Sequence, residues 1–400
     1  MVVAGSISLP LAAQEQPLPR DVPPATVDIP LEGARFFAGG ASVTHDSNLF
    51  RESELLGSAE SETITTGYVG LRIDKPYAQQ RFYLDATATA YRYANFSDLD
   101  FDGLNYFGAW YWHLTPHIHG TLSASRTEIP TQFQYTLGRQ SNVTTEESYV
   151  FSLVGNVTGG WHVLLGASQF ERTSEQSSLQ RVPDYMESRA EAGIRYLVRP
   201  GDQIDAIWRQ VDGEQDSQVL GGIVVTGASN YQEDQAELVV TWGVSAKSTL
   251  FGRITYLDRR YDLNSQFDFS GTAGEIRYAW LPTSKVDVVF SAARSLYPFQ
   301  GGVQSNYTVA NTLSLTPAWR PTATTRLYLD LRATDERYPT ATGSGTERED
   351  TISRGMLGLD WRAARNLTFG ASLSYEARAS NIALLEYEVT LGRISATLLF

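Results

Sequence analysis

Period-two alternation, sustained over ten or more residues and repeated along nearly the whole chain, is the feature that most limits what this sequence can become. From Ile64 to Asp74, Gly67, Val69, Leu71 and Ile73 fall on one side and Tyr68, Gly70, Arg72 and Asp74 on the other. After a break at Lys75-Pro76-Tyr77 the pattern resumes: Phe82, Leu84, Ala86, Ala88 and Ala90 alternate with Arg81, Tyr83, Asp85, Thr87 and Thr89. A polar, acidic stretch, Asn95–Asp102, separates this from Leu104–Leu114, which ends in Trp110-Tyr111-Trp112 beside a tight break at Thr115-Pro116. Alternation of this kind describes strands with one apolar and one polar face. A soluble sandwich alternates too, but its strands are shorter and its turns recur every ~8–12 residues. Here the repeat is nearer twenty residues.

The same template predicts eighteen strands, at about 34–44, 63–74, 80–93, 103–114, 117–127, 145–158, 160–171, 185–198, 202–211, 230–245, 247–261, 270–281, 284–296, 307–319, 322–335, 350–362, 366–378 and 384–400. Connections alternate between short breaks, such as Lys75–Gln79, Thr115-Pro116 and Pro282-Thr283, and long polar stretches. The long ones include His45–Glu62, Glu128–Thr144, Arg172–Asp184, Asp212–Ser229 and Glu336–Glu349. Short turns on one side, long loops on the other and an even strand number describe an all-β, transmembrane, antiparallel up-and-down β-barrel with its short turns in the periplasm. No apolar run approaches the ~20 residues of a membrane helix, and a chain that spans lipid without helices must close its sheet. The bacterial outer membrane is the expected location.

Composition agrees. Tyr (21), Phe (17), Trp (8) and Gly (33) are plentiful while charge is only 19%, and aromatics suit both strands and membrane interfaces. Cys is absent, which removes disulfide frameworks and thiolate metal sites. A net charge of −13 argues against nucleic acid and against a polybasic membrane-surface role. Only three of the 32 basic residues are Lys (Lys75, Lys247 and Lys285), all at expected short turns. Arg presents a planar fork of donors suited to carboxylates and hydroxyls; an Arg-rich codon usage explains the same bias.

At the N-terminus, residues 1–13 have the apolar core and small-residue exit of a signal peptide without its basic start; a disordered tail is the other reading. Residues 14–33 carry Pro17, Pro19, Pro23, Pro24 and Pro30, the composition of an extended periplasmic tether. Residues 34–400 form the expected barrel. In its last strand Ile394, Ala396, Leu398 and Phe400 share a face opposite Arg393, Ser395 and Thr397. A terminal Phe closing that pattern resembles the signal read by the barrel-assembly machinery. Tyr387, Val389 and Leu391 have the opposite parity, which predicts a bulge near Gly392.

Parity also assigns the wall. Because a charge facing lipid costs roughly 2–4 kcal/mol at mid-membrane, the polar parity belongs to the lumen. It carries Arg72, Arg81, Tyr83, Asp85, Arg189, Glu191, Arg195, Arg209, Arg253, Arg277, Arg326, Tyr328, Asp330, Arg332 and Arg354, together with Tyr91, Arg259, Arg393, Asp74, Glu187, Asp205, Glu237, Glu275, Asp287, Asp360 and Glu376. The two signs nearly balance. Such a lining hydrogen-bonds hydroxyls and carboxylates and offers aromatic faces to sugar rings; equally, its pairs brace the wall. No catalytic residues, cofactor or metal site are expected. His117 and His119, on one face near His113, are read as interfacial polar residues rather than metal ligands.

Residues Val43-Thr44-His45-Asp46-Ser47-Asn48-Leu49-Phe50-Arg51, then Tyr77, Gln80-Arg81, Asp85, Tyr91-Arg92-Tyr93, Leu99-Asp100-Phe101-Asp102, Trp110-Tyr111-Trp112-His113-Leu114 and Gly120, resemble the EpsL-type outer-membrane β-barrel proteins of exopolysaccharide operons. The likeness covers about residues 36–127. It implies a non-catalytic porin that exports an exopolysaccharide beside periplasmic polysaccharide-export components, in contact with outer-membrane lipids. The alternatives are a general or substrate-specific porin for small solutes, an outer-membrane barrel hydrolase, and a structural barrel with a filled lumen.

Overall fold

The computed structural model describes residues 35–57, 59–130, 133, 139–176, 184–216, 218–220, 223–226, 229–263, 265–298, 307–339 and 347–400. The expected signal peptide and tether lie outside these residues. Among the described residues there are twenty strands: Arg35–Asp46 (β1), Glu62–Tyr77 (β2), Gln80–Tyr93 (β3), Phe101–Thr115 (β4), Ile118–Ile129 (β5), Thr144–Thr158 (β6), Trp161–Ser174 (β7), Tyr185–Arg199 (β8), Asp202–Gln215 (β9), Gln218–Leu220 (β10), Ile223–Thr226 (β11), Ser229–Ser245 (β12), Ser248–Tyr261 (β13), Phe269–Thr283 (β14), Val286–Pro298 (β15), Tyr307–Trp319 (β16), Thr325–Tyr338 (β17), Arg348–Ala364 (β18), Leu367–Ser380 (β19) and Tyr387–Leu399 (β20).

Eighteen of them form one antiparallel sheet, and β10–β11 is a separate hairpin in the loop between β9 and β12. The sheet closes on itself where β1 pairs with β20, from Ala38↔Leu399 to Asp46↔Leu391. Closure leaves no edge, so strand backbone groups find partners inside the wall, as a hydrocarbon surround requires. The two faces then divide by parity. One carries Val69, Ile254 and Ile394, which are 66%, 55% and 69% exposed; a water-soluble sheet would bury such residues, and here they face lipid. The other carries the charged and hydroxyl side chains and encloses the lumen.

Trp110, Trp161, Trp280, Trp319 and Trp361 all point outward near the short-turn ends of their strands. They form a girdle at the periplasmic interface, where an amphipathic ring sits between lipid and water. Adjacent short turns are tied together there: Lys247 Nζ donates to the Pro282 carbonyl (3.0 Å), Lys285 Nζ to that of Pro321 (3.1 Å) and Gln80 Nε2 to that of His113 (3.0 Å).

The structure corrects three details. First, β2 continues through Lys75, Pro76 and Tyr77, and the turn is confined to Ala78 and Gln79. Proline is tolerated because β1 pairs only as far as Ile73, so no described neighbour awaits an N–H from residue 76. Second, no bulge occurs at Gly392, because β20 keeps one unbroken register with both β19 and β1. Its outer end stands beyond the bilayer, where Tyr387 and Val389 turn inward and are buried while Glu388 and Thr390 face outward. Third, β20 starts at Tyr387, behind a 3₁₀ turn at Ala383–Leu385 that the expected strand had absorbed.

Candidate functional site

The inner wall is the candidate site, and its charges are organised by cross-strand neighbours. In antiparallel pairs, residues directly opposite lie about 4.5–5.5 Å apart, so opposite charges facing each other meet without long reaches. On β2–β3, Arg72 Nε donates to Asp85 (2.7 Å), Arg81 Nε to Asp74 (2.7 Å) and the Tyr83 hydroxyl to Asp85 (3.3 Å). On β8–β9, Arg195 forms a two-pronged pair with Asp205 (both 2.8 Å), and Arg209 donates to Glu191 (2.8 and 2.9 Å) and to Gln235 on β12 (2.7 Å). On β13–β14, Glu275 joins Arg253 (3.4 Å) to Arg277 (2.6 Å). Arg326 lies 3.6 Å from Asp360 and over the Tyr328 ring at 4.9 Å.

Toward the outer end the inner face packs into two buried knots. In the first, Glu187 accepts from Arg189, from Arg259 (3.2 Å) and from the Tyr231 hydroxyl (2.5 Å), while Arg259 reaches Glu233 (2.6 Å) and stacks 3.9 Å over Tyr231. In the second, Asp350 accepts from Arg348 (2.6 Å), Arg378 and Ser380 (2.6 Å). Of the residues assigned to the lumen, the structure joins Arg72 and Tyr83 through Asp85, Arg81 to Asp74, Arg209 to Glu191, Arg195 to Asp205 and Arg189 to Glu187. Arg253 and Arg277 share one carboxylate. Asp330, Arg332 and Arg354 stand on the same inner face without an ion pair among the described residues.

Parity placed the rings of Tyr83, Tyr91 and Tyr328 on the inner wall; sequence reading missed Tyr68, Phe101, Phe107 and Tyr111, whose rings also lie against it. Tyr68 lies across β1, where a Cβ on Gly40 would come within 2.5–2.6 Å of its ring, and its hydroxyl bonds Thr397 Oγ1 (2.7 Å). The Phe101 ring covers Gly103 and stacks on Tyr91 (5.9 Å, 21°), and the Tyr328 ring covers Gly358. Phe107 meets Tyr83 at 5.9 Å, and Arg81 lies 5.8 Å from the Tyr111 ring. The signal was available: these rings share the polar parity of their strands, and Tyr68, Phe101 and Tyr328 each lie over a glycine (Gly40, Gly103 and Gly358).

Described residues of three loops meet against the inner face at the mouth. Leu49, Phe50, Leu99 and Phe133 form a buried cluster against Ile64 and Tyr93 on the inner face of β2 and β3. Phe50 meets Phe96 (5.0 Å) and Phe133 (4.8 Å) edge-on. Arg139 covers Phe50 at 4.5 Å and pairs with Glu52 (2.6 Å) and Glu60, and those hydrogen bonds raise its already high pKa. The segment that carries the family resemblance lies here and has a structural task. Asp46 accepts from the Asn48 N–H (2.9 Å) and holds Arg51 (2.9 Å). The Asn48 amide donates to the carbonyls of Glu52 (3.0 Å) and Glu388 (3.1 Å), and Ser47 exchanges bonds with Thr390 (2.8 and 3.1 Å). It pins the first loop to the closing strand.

At the periplasmic rim His119 stacks on His113 across β4–β5 (5.2 Å, 17°), while His117 sits in the turn between those strands. Among the described residues no three His or acidic side chains converge as a metal site. Phe400 points outward, and its N–H bonds the Phe37 carbonyl (2.8 Å).

A closed eighteen-strand barrel with a lipid-facing apolar belt, an interfacial Trp girdle and a charged lumen defines an outer-membrane barrel of the porin type. Among solved structures the chain is similar to Pseudomonas aeruginosa OpdK (TM-score 0.52, 10% identity, 92% of this chain and 99% of that one), to OpdK with vanillate (0.51, 11%, 92% and 99%) and to OpdQ (0.50, 8%, 92% and 98%), all from the same organism. At such identities the likeness is one of fold. No protein-family model and no curated protein matches the sequence.

Proposed function

We propose that this barrel is a non-catalytic diffusion pore that passes small polar solutes across the outer membrane and selects among them by the charge and hydroxyl pattern of its wall. The observation that carries this reading is the lumen itself. Eighteen strands enclose a channel wide enough for water, and its mid-membrane wall is lined by paired Arg and carboxylate groups with no described nucleophile–base constellation among them. The loop cluster built on Phe50 narrows the mouth on the β2–β3 side, which favours small solutes over a polymer. Barrels of this shape include one crystallised with vanillate, a small aromatic carboxylate.

A second reading, export of an exopolysaccharide beside periplasmic export components, is favoured by the rings of Tyr68, Phe101 and Tyr91, which lie along the inner wall of β2–β4. Flat aromatic faces stack on sugar rings. The sequence resemblance that first suggested export falls partly on Asp46, Ser47, Asn48 and Arg51, whose bonds hold the seam and say nothing of cargo. Swelling of proteoliposomes in a graded series of solutes separates the two. Rapid entry of monosaccharides and small carboxylates, with a sharp cut-off and no inhibition by the host's exopolysaccharide, is the expected result. Inhibition by that polymer, but not by dextran of equal size, would overturn the small-solute reading in favour of export.

A further inference from the structure

We infer that the outer side of the periplasmic rim, through Lys75, Lys247, Lys285 and Arg365, binds the headgroups of anionic phospholipids in the periplasmic leaflet; the inference holds whatever the lumen carries. All three lysines of the chain stand in or beside the short turns, Lys75 at β2–β3, Lys247 at β12–β13 and Lys285 at β14–β15, and Arg365 occupies the turn between β18 and β19. These turns lie on one arc of the rim, which runs from β12 across the seam to β3. The carboxylates at this level are matched charge for charge: Asp74, Asp202, Asp287 and Asp360 pair with Arg81, Arg199, Arg320 and Arg326. The four cations are exposed and form no ion pair among the described residues. They are a local excess of positive charge on a chain whose net charge is −13. The opposite end of the wall has the reverse sign, with Asp212, Glu214, Asp234 and Glu388 exposed on its outward face.

What makes the partner a lipid is the aromatic residue beside each cation. Trp242 precedes Lys247 and Trp280 precedes Lys285 at the same spacing, and Trp361 stands just before Arg365. All three rings have the lipid-facing parity of their strands, and Trp280 and Trp361 are exposed there. Lys75 lies in one outward register row with Phe82 and Trp110, whose rings stack at 6.1 Å. Tryptophan marks the level of the headgroups, and a long cationic side chain at that level lays its stem along apolar surface with its charge among the phosphates. Lys247 Nζ and Lys285 Nζ each donate one bond to a neighbouring turn, to the carbonyls of Pro282 and Pro321, which leaves two N–H groups on each ammonium for a phosphate oxygen. Arg365 adds a planar fork that takes two phosphate oxygens at once. A zwitterionic headgroup brings its own ammonium to the same place, so the excess charge selects lipids of net negative charge. Neighbouring short turns are two strands, about 10 Å, apart, so each cation meets a separate headgroup.

The test reconstitutes the purified full chain in vesicles that mix phosphatidylglycerol with phosphatidylcholine, one of the two carrying brominated acyl chains, and reads the quenching of tryptophan emission. The wild type is expected to take phosphatidylglycerol about fivefold more tightly than phosphatidylcholine at low salt, with the preference fading as salt rises. In Lys75→Gln/Lys247→Gln/Lys285→Gln/Arg365→Gln the two lipids are expected to quench equally. Arg92→Gln/Arg260→Gln, which removes exposed cations of the opposite end, is expected to keep the wild-type preference. Equal affinity of the wild type for both lipids would overturn the site and leave the charge of the rim to an acidic periplasmic protein. A preference that survives the quadruple variant, or that vanishes equally in the variant of the opposite end, would overturn it as well. Should the quadruple variant fail to fold, Lys75→Gln/Arg365→Gln decides, because these two side chains make no hydrogen bond among the described residues: a clear loss of preference supports the site, and an unchanged preference overturns it.

Discussion

Asp350 is 1% exposed and holds two guanidinium groups, those of Arg348 and Arg378, and the Ser380 hydroxyl at the outer end of the wall. Removing one partner of a buried ion pair strands the others, at a cost of about 3–5 kcal/mol. Asp350→Asn is therefore expected to lower the denaturant midpoint of the folded barrel clearly, whereas Asp102→Asn, on an exposed pair with Arg92, is expected to leave it nearly unchanged. A second residue-scale prediction concerns Gly40. A valine there meets the Tyr68 ring and must push it off the wall and away from Thr397, costing about 1–3 kcal/mol by overpacking; Gly67→Ala, with open space beside it, serves as the control in the same unfolding series. A third concerns pH. Asp184, in the connection before β8, has its carboxyl pKa pushed up by burial, and its Oδ1 has no hydrogen-bond partner among the described residues. A carboxyl raised in the folded state contributes stability below its unfolded pKa and loses it as pH rises through the folded value. Protection of this connection from protease should thus fall from pH 4 to pH 8 in the wild type and stay flat in Asp184→Asn.

At the scale of elements, the seam between β1 and β20 depends on a loop as well as on its ladder. Asn48 bonds the chain on both sides of that seam, through Glu52 and Glu388, and Ser53 Oγ donates to the Ala383 carbonyl (3.0 Å). Asn48→Ala removes its hydrogen bonds to part-buried backbone groups, at roughly 0.5–1.5 kcal/mol each, and is expected to expose the first loop to trypsin at Arg51 while the rest of the barrel resists; a cleavage pattern like that of the wild type would contradict this role. The strands themselves were legible because their polar and apolar faces alternate with the pleat, and Arg72 opposite Asp85 or Arg195 opposite Asp205 could be placed on the inner wall from parity alone. The outer ends were not. The rule that apolar residues face out holds only in hydrocarbon; above it Tyr231, Tyr387 and Val389 turn inward and Gln232, Asp234, Glu388 and Thr390 take the outer face, which alternation alone reads as a bulge. The loop cluster was hidden for a different reason. Phe50, Phe96 and Phe133 meet only because the barrel brings three loops to one mouth, and no local pattern announces that contact. That Arg332 and Arg354 form no ion pair among the described residues was equally invisible, since parity places a charge but does not choose its partner.

For the whole molecule, closure is what turns these local patterns into a function. An eighteen-strand wall with an apolar exterior spans the bilayer without an edge, and its interior concentrates nearly every buried charge around one lumen. The ion pairs along that lumen stiffen it, and at its mouth described loop residues pack against Ile64 and Tyr93 of β2 and β3. Loosening those loops should therefore be felt as a change in conduction rather than in folding: Arg139→Gln, which releases Glu52, Glu60 and the Phe50 face, is expected to increase open-channel noise with little change in the unfolding midpoint. The central claim, that the barrel is an open passage for small polar solutes, is tested most directly by single-channel recording of the purified protein in planar bilayers. The structure predicts discrete, ohmic steps in potassium chloride that appear with each insertion. Correctly folded, inserted barrels that pass no current under any applied voltage would contradict it.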